Sequence, residues 1–271
     1  MKEYPKVLAI AGSEPLGSAG VQADIKSISA CGSYAAGAIT CILDEDTTRV
    51  KEVFPLPVSL VIGQVRSFLD DVQASAVKTG MLYTEELVRA LGPVLADYRD
   101  IPLVVDPVMV DSNGTPLIRP EAVRAYIECL FPLATIITPN YREANLLLGH
   151  PFAETDPEAD MHWLCHQGCA AIVKSVPHPH GLMDVFYSEE TGIKTFVKEK
   201  VDTQNVNGTG CTFASSIADY LSQGYTLNDA VHKAEDYIDG AIREGATYRF
   251  GTGYGPVTHF YRWSKAVPVG E

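Results

Sequence analysis

The chain has 271 residues, of which 46% are hydrophobic and 20% charged, a composition typical of a globular protein with a large buried core. Its formal net charge of −13 argues against nucleic-acid binding, because an acidic surface repels phosphate backbones. The apolar run at 7–12 is too short for a secretory signal or a membrane span, and six scattered cysteines do not suggest a disulfide framework, so we expect a cytoplasmic protein with a single domain over 1–271.

Short apolar runs alternate with helical patterns along the chain. The predicted strands are 6–12, 35–43, 76–82, 102–109, 135–140, 170–175 and 182–188. The predicted helices are 20–32, 57–72, 84–98, 119–134, 141–149, 211–224 and 226–246. Pro93 should kink or break the third helix. The alternation predicts an α/β fold with a mostly parallel sheet between helix layers, whose ligands bind beyond the carboxyl ends of the strands.

The stretch "NGTGC", residues 207–211, stands where a late helix is predicted to begin. Glycines permit positive φ and close approach of a ligand, and the unpaired first amides of a helix form an anion pocket. In a phosphoryl-transfer enzyme, this pocket would stabilise the transferring group. Cys211 follows at once, and a thiol at a helix N-terminus has a lowered pKa and could take a proton from a substrate hydroxyl. The alternative is a small cysteine that only packs.

Six blocks of the chain resemble, in order, the signature blocks of the hydroxymethylpyrimidine/phosphomethylpyrimidine kinases of thiamine biosynthesis, in the ribokinase-like superfamily. The blocks are "LAIAGSEPLGSAGVQADIKS", "VKTGML", "VVDPVMV", "ITPNYREANLLLG", "VNGTGCTFASSIA" and "GTGYGPVTHFYRW". The resemblance runs from about Lys6 to Trp263, nearly the whole chain.

The resemblance implies a three-layer ribokinase-like fold and a kinase that uses ATP and Mg²⁺, usually as a homodimer. It would phosphorylate the hydroxymethyl group of 4-amino-5-hydroxymethyl-2-methylpyrimidine and then the resulting monophosphate. The implied partners are this small heterocycle and ATP, with no nucleic acid and no membrane.

The resemblance also implies a role for each matching residue. In the catalytic turn, Cys211 would be the base and Gly208, Thr209 and Gly210 the anion hole. Lys174 would neutralise phosphate charge, and Thr209 would contact phosphate. The residues expected to organise Mg²⁺ and the phosphates are Asp106, Asn140 and Glu143. The residues expected to line the pyrimidine pocket are Gly12, Ala19, Glu45 and Met81.

Four departures from the family pattern affect the substrate more than the reaction. They are Glu14 and Leu16 in "GSEPLGSAG", Glu45-Asp46-Thr47 for the usual Gln-Asn-Thr, "KSVPHPHG" for Lys-Gly-Gly-His, and Val206-Asn207 before the glycine turn. A carboxylate at 45 accepts hydrogen bonds only, whereas an amide also donates. A pyridoxal/pyridoxine kinase, a kinase of another hydroxymethyl heterocycle and a catalytically inactive heterocycle-binding relative therefore remain alternatives.

The stretch "HWLCHQGC", residues 162–169, has a zinc-like spacing of His162, His166, Cys165 and Cys169. The two pairs are offset along one helix and no second pair lies nearby, so we expect a helix with buried cysteines and surface histidines. His178 and His180 lie among prolines and a glycine, which predicts an exposed turn.

Overall fold

The computed structural model describes residues 3–110, 118, 120–154, 156–165 and 168–263. The strands are β1 (Lys6–Ser13), β2 (Tyr34–Asp46), β3 (Arg49–Pro55), β4 (Ala76–Thr79), β5 (Leu103–Val105), β6 (Ile136–Ile137), β7 (Ala170–His178), β8 (Gly181–Ser188) and β9 (Gly192–Lys198). The helices are α1 (Gly20–Cys31), α2 (Val58–Asp71), α3 (Glu85–Ala96), α4 (Pro120–Ala125), α5 (Tyr141–Leu148), α6 (Pro157–Leu164), α7 (Thr209–Ser222) and α8 (Leu227–Gly245). A π turn (Tyr126–Leu130) and a 3₁₀ turn (Phe131–Leu133) follow α4.

These strands form one sheet in the order β3-β2-β1-β4-β5-β6-β7-β8-β9. The six central strands, from β2 to β7, are parallel; β3 at one edge and β8 and β9 at the other are antiparallel. Val7 of β1 lies opposite Ala35 of β2 on one side and Ala76 of β4 on the other. After β1 the chain adds β2 on one side of it and later β4 on the other side. This reversal of the strand order opens a crevice at the carboxyl ends of β1 and β4.

Helices cover both faces of the sheet, as a parallel centre requires. Val7 and Ala9 of β1 pack with residues of α1, α7 and α8, whereas Leu8 and Ile10 pack with residues of α2 and α3. Successive side chains of a strand point to opposite faces, so the continuous apolar run of β1 contributes to both layers. The predicted three-layer arrangement is confirmed.

Two strands, β3 and β9, lie outside the sequence prediction, and the helix expected over 162–169 is α6, which begins earlier and already ends at Leu164. Most residues of β3 are exposed, and in β9 exposed residues alternate with partly buried ones. Lysines interrupt the apolar residues in both, so neither has the continuous apolar run by which central strands were recognised. Of the kink or break expected at Pro93, the break does not occur, because α3 runs through Pro93. Pro93 is on the exposed face of the helix, where water can replace the missing backbone hydrogen bond.

The turn after β7 is exposed at His180, as predicted, and His178 is partly buried at the end of that strand. In the zinc-like stretch, His162 packs edge-on against Tyr187 at 4.8 Å and Cys169 is buried, while His166 lies outside the described residues. Within the described ranges, no helix has the length and apolar character needed to cross a membrane.

Candidate active site

A cavity of about 990 Å³ lies at the carboxyl ends of the central strands. Every predicted site residue lines it: Gly12, Ala19, Glu45, Met81, Asp106, Asn140, Glu143, Lys174, Gly208, Thr209, Gly210 and Cys211. The parallel sheet explains the convergence, since loops after neighbouring parallel strands meet at one edge.

The glycine turn forms the N-terminus of α7. Gly208 is the N-cap residue with φ 76°, and a Cβ there would lie 1.7 Å from the carbonyl oxygen of Ser18. Only glycine fits this close approach. Asn207, one of the departures from the family pattern, donates from Nδ2 to Ser18 Oγ at 2.9 Å. The turn is thereby attached to the loop that follows β1.

That loop is organised by Glu14. Its buried carboxylate accepts hydrogen bonds from the backbone amides of Leu16, Ser18 and Ala19 and from the Ser18 hydroxyl. Gly208 packs on Ser18, and Glu14 holds Ser18 in place. Glu14 therefore stabilises the position of the glycine turn. The sequence marked Glu14 as a departure from the family but gave no sign of this role.

A buried ion pair faces the turn from the opposite side. Lys174 Nζ lies 2.9 Å from Asp106 Oδ1, which also accepts from Thr138 Oγ1 at 2.9 Å. Burial raises the pKa of Asp106, but the Lys174 and Lys78 ammonium groups outweigh it and hold that pKa below its ordinary value. The carboxylate is therefore ionised at neutral pH.

The ion pair and the turn lie within contact distance of each other. A Cβ placed on Gly210 would be 3.3 Å from Lys174 Nζ and 3.8 Å from Asp106 Oδ2. Backbone amides, an ammonium group and a carboxylate thus surround one small volume, as the charge distribution of a transferring phosphoryl group and its cation would require.

Asn140 and Glu143 form a capping box at the start of α5. Asn140 Oδ1 accepts from the Arg142 and Glu143 amides at 2.9 and 3.0 Å. Glu143 Oε2 accepts from the Asn140 amide at 2.8 Å, and Oε1 accepts from the Met109 amide at 3.1 Å. Asn followed three residues later by Glu at a helix start is also the pattern of a capping box, which gives these residues a structural function beside the predicted metal role.

Glu143 is buried next to Asp106, and burial together with this neighbouring charge raises its pKa to about 7. Among the described residues, no group of three His, Cys, Asp or Glu side chains could hold a metal ion. Mg²⁺ commonly uses only one or two carboxylates and completes its shell with water and phosphate oxygens. The ionised Asp106 fits that manner of binding, with bound phosphate supplying the other ligands.

Cys211 occupies the first turn of α7, but the expected lowering of its pKa is wrong. Burial of the thiol raises its pKa to about 11, although the Lys78 ammonium and a hydrogen bond from the Gly20 amide oppose this effect. Removal from water outweighs the helix N-terminus, because the thiolate loses its hydration. The free protein therefore holds a neutral thiol at physiological pH.

The predicted pyrimidine pocket has an apolar floor and a polar rim. Cys41, Leu43 and Met81 form a small apolar cluster, and Gly12 has no room for a side chain because its Cβ would lie 2.9 Å from Cys41 Sγ. Glu45 lies near the tip of the β2–β3 hairpin and lines the same cavity.

The C-terminal segment covers the tip of this hairpin. The Tyr254 amide donates to the Thr47 carbonyl at 2.7 Å, and the Gly253 amide donates to Thr47 Oγ1 at 3.1 Å. The wall of the pocket is therefore built from two segments more than 200 residues apart in the chain.

The "KSVPHPHG" departure places a serine where the backbone is left-handed. Ser175 has φ 60°, and its amide donates to Asp184 Oδ1 at 2.7 Å. The residue lines the cavity directly after Lys174. Loss of the family's glycine thus leaves a conformation that glycine adopts more easily.

Comparison with known proteins agrees with this geometry. The family model "Phosphomethylpyrimidine kinase" matches residues 14–258. The hydroxymethylpyrimidine/phosphomethylpyrimidine kinase of Rhizobium meliloti (strain 1021) is 37% identical over 262 residues, which cover 95% of this chain and 98% of that protein. The ADP complex of Bacillus subtilis pyridoxal kinase has a TM-score of 0.88 at 30% identity, covering 97% of this chain and 100% of that one. Phosphomethylpyrimidine kinase from Clostridium difficile 630 has a TM-score of 0.78 at 32% identity, covering 88% and 99%.

The family match spans most of the chain, and the structural neighbours share its mostly parallel sheet covered on both faces. The predicted ribokinase-like fold is confirmed, and this chain belongs to the phosphomethylpyrimidine kinase family.

Proposed function

We propose that this chain is an ATP-dependent kinase of thiamine biosynthesis that phosphorylates the hydroxymethyl group of 4-amino-5-hydroxymethyl-2-methylpyrimidine and then the monophosphate. The relatives named for this activity support the proposal. The single observation that carries it is the approach of Gly210 to the Lys174–Asp106 pair, with the Cβ position 3.3 Å from Lys174 Nζ. An anion turn and a charged pair this close are suited to a transferring phosphoryl group.

The transfer itself requires positioning and charge stabilisation more than covalent chemistry. The acceptor hydroxyl attacks the γ-phosphorus, the new O–P bond forms, and the bond from that phosphorus to the leaving ADP breaks. The amides of residues 208–211 and the Lys174 ammonium stabilise negative charge on the transferring group. Cys211, in its thiolate form, receives the proton that the hydroxyl loses and becomes a neutral thiol.

Magnesium and nucleotide belong to the same proposal. Mg²⁺, when bound, would neutralise part of the triphosphate charge. Asp106 is the described carboxylate best placed to hold it, since it is ionised and adjoins the turn. Asn140 and Glu143 would act mainly by keeping the loop that precedes α5 in place, because their polar atoms bond to nearby backbone amides.

A pyridoxal kinase is the second candidate function. It is favoured by the similarity to a pyridoxal kinase, at a TM-score of 0.88, whereas Glu45, which stands where the family has glutamine, argues against it. A carboxylate at this position suits the amino group of the pyrimidine, which donates hydrogen bonds, and disfavours a ring group that only accepts them. Glu45 therefore favours the pyrimidine over pyridoxal.

We extend the proposal to a homodimer in the cytoplasm. Phe54 on the edge strand β3 and Leu60 on α2 are 62% and 52% exposed, and such apolar side chains suit a contact with a second copy. All six cysteines are free thiols, which is usual in a reducing compartment. Light scattering of the purified chain measures directly whether it is a dimer.

The test is ATP turnover measured side by side with the pyrimidine alcohol, its monophosphate and pyridoxal. We expect the highest kcat/KM with the two pyrimidines. Higher kcat/KM with pyridoxal would favour the second candidate. If no acceptor is phosphorylated but the pyrimidine still raises the Tm, the chain is an inactive binder.

Glu45→Gln provides a matched variant for the choice of ring, with Glu52→Gln on the exposed side of the same hairpin as its control. We expect only the first to change the ratio of kcat/KM between pyrimidine and pyridoxal. An unchanged ratio would show that Glu45 does not contact the ring of the substrate.

A further inference from the structure

A second buried ion pair, Lys78 with Asp24, lies near the glycine turn, and the proposed transfer step does not use it. Lys78 of β4 and Asp24 of α1 are both 0% exposed, and Lys78 Nζ lies 2.7 Å from Asp24 Oδ1. Ser215 of α7 donates to the same oxygen at 2.8 Å. One carboxylate thus joins a strand and two helices directly under the site.

Two matched contacts connect α1 to α7. The Gly20 amide is close enough to the Cys211 sulfur to lower its pKa, and four residues further along each helix Asp24 accepts from Ser215. Residues four apart lie on the same face of a helix. The Asp24–Lys78 pair therefore occupies the layer one helical turn below the thiol.

Lys78 also lies close to the backbone next to Met81, which lines the cavity. A Cβ on Gly80, which follows the end of β4, would lie 2.8 Å from Lys78 Nζ. Buried ion pairs contribute little net stability, because removing two charges from water costs about as much as their attraction returns. Stability alone is therefore a weak reason for placing this pair here.

Four charged groups face Cys211 from the elements around it. They are Asp24 from α1, Lys78 from β4, Asp106 after β5 and Lys174 from β7. After the dominant effect of burial, Lys78 is the strongest influence on the pKa of the thiol and lowers it, while the two carboxylates raise it. Asp24 Oδ2 is buried and has no hydrogen-bond partner in the described part of the chain.

We propose that Lys78 and Asp24 are positioning residues for Cys211. The Lys78 ammonium stabilises the thiolate form of Cys211, which is the form that can take the proton of the acceptor hydroxyl, and Asp24 holds that ammonium in place while limiting its effect. This proposal rests on the proposed function for its use in catalysis, but not for its effect on the thiol.

The test is the rate of Cys211 alkylation by iodoacetamide between pH 7 and 10, followed by mass spectrometry of the peptide that contains Cys211. Asp24→Asn removes a carboxylate that raises the pKa of the thiol, while Asp106 still favours the charged form of Lys78, so we expect alkylation about ten-fold faster than in the parent at a given pH. Lys78→Met should slow alkylation by about the same factor. Ser215→Ala, which keeps both charges, should change the rate less than either.

Opposite changes in the two charge variants distinguish electrostatic positioning from a packing role, since loosened packing would expose the thiol in both. Equal rates in parent and Asp24→Asn, or a rate raised in both variants, would overturn the proposal. If Lys78→Met does not fold, the sign and size of the Asp24→Asn effect still decide it.

Steady-state kinetics separate this proposal from the proposed function. We expect Lys78→Met to lower kcat about ten- to hundred-fold with little change in the KM for ATP. If the parent phosphorylates no acceptor but the alkylation rates move as expected, the proposed function fails and the thiol–lysine coupling stands. If the parent is active and the alkylation rates are all equal, only the coupling fails.

Discussion

At the scale of single residues, the cavity combines groups whose ionisation is set by burial. Asp106 stays ionised because two ammonium groups face it, whereas Cys211 stays neutral because its thiol is removed from water. The residue types were readable from the sequence, but their protonation states were not. Burial and neighbouring charges determine those states, and both depend on elements far apart in the chain.

A consequence is that kinase activity should rise with pH. Cys211 accepts a proton only as the thiolate, and its pKa of about 11 means that the thiolate fraction grows throughout pH 7–10. We expect Cys211→Ala to lower kcat roughly 10²–10⁴-fold and to abolish this rise. Cys169→Ala, at a buried cysteine that does not line the cavity, is the matched control. Parental kcat in Cys211→Ala would show that the thiol only packs.

Ser175 provides a test of backbone strain beside the site. Its φ of 60° is costly for a residue with a Cβ, so Ser175→Gly should raise the free energy of unfolding by about 0.5–1 kcal/mol after the entropy of glycine is counted. Ser175→Ala keeps the Cβ and should give no gain. Urea denaturation without ligand measures both, and a loss of stability in Ser175→Gly would contradict the assignment of strain.

At the scale of elements, the start of α5 combines one observed function with one predicted function. Asn140 caps the helix and Glu143 completes the capping box. The predicted metal role of these residues stays a prediction, because their observed contacts are explained by the cap alone.

Two substitutions separate the cap from the metal role. Asn140→Ala should cost about 1 kcal/mol of stability and raise the Mg²⁺ concentration needed for half-maximal activity. Asp156→Ala removes the N-cap of α6, away from the cavity, and should cost a similar amount with no change in the Mg²⁺ requirement. Identical Mg²⁺ titrations in both variants and the parent would show that Asn140 does not contribute to Mg²⁺ binding.

At the scale of the whole molecule, several carboxyl groups are buried with raised pKa values. Burial raises the pKa of Asp219 to about 7, well above its ordinary 3.8, although its contacts with Ser33 and Gln223 oppose this. Burial and the nearby Asp184 raise the pKa of Glu235 to about 8. These groups sit in a chain whose net charge of −13 already repels itself.

The unliganded protein should therefore lose stability as pH rises from 6.5 to 8.5. Across this range the folded state holds more protons than the unfolded state, so deprotonation favours unfolding. We expect a loss of about 1–3 kcal/mol by urea denaturation. Below pH 6.5 the buried His259, whose pKa is lowered to about 4, acts in the opposite direction. Asp219→Asn should flatten the slope and the exposed Asp229→Asn should not; equal slopes would contradict the assignment.

Which elements could be predicted depended on their burial. The central strands and most helices were found from the sequence because burial on both faces or on one face leaves a clear apolar pattern. The strands β3 and β9 were missed because edge strands retain many polar residues. The helix predicted over 84–98 does continue through Pro93, because that side of α3 is exposed and can be hydrated. The prediction that 1–271 form one domain stays a prediction.

The sequence by itself determined the family, the fold class and the set of residues at the carboxyl ends of the strands. Those features are carried by local patterns and ordered motifs, which need no knowledge of distant contacts. Only the tertiary structure decided that Asn207 and Glu14 support the glycine turn, that Asp24 and Lys78 lie beneath Cys211, and that its thiol is neutral. Those features arise from contacts between residues up to 191 positions apart and from the removal of water, neither of which leaves a local pattern.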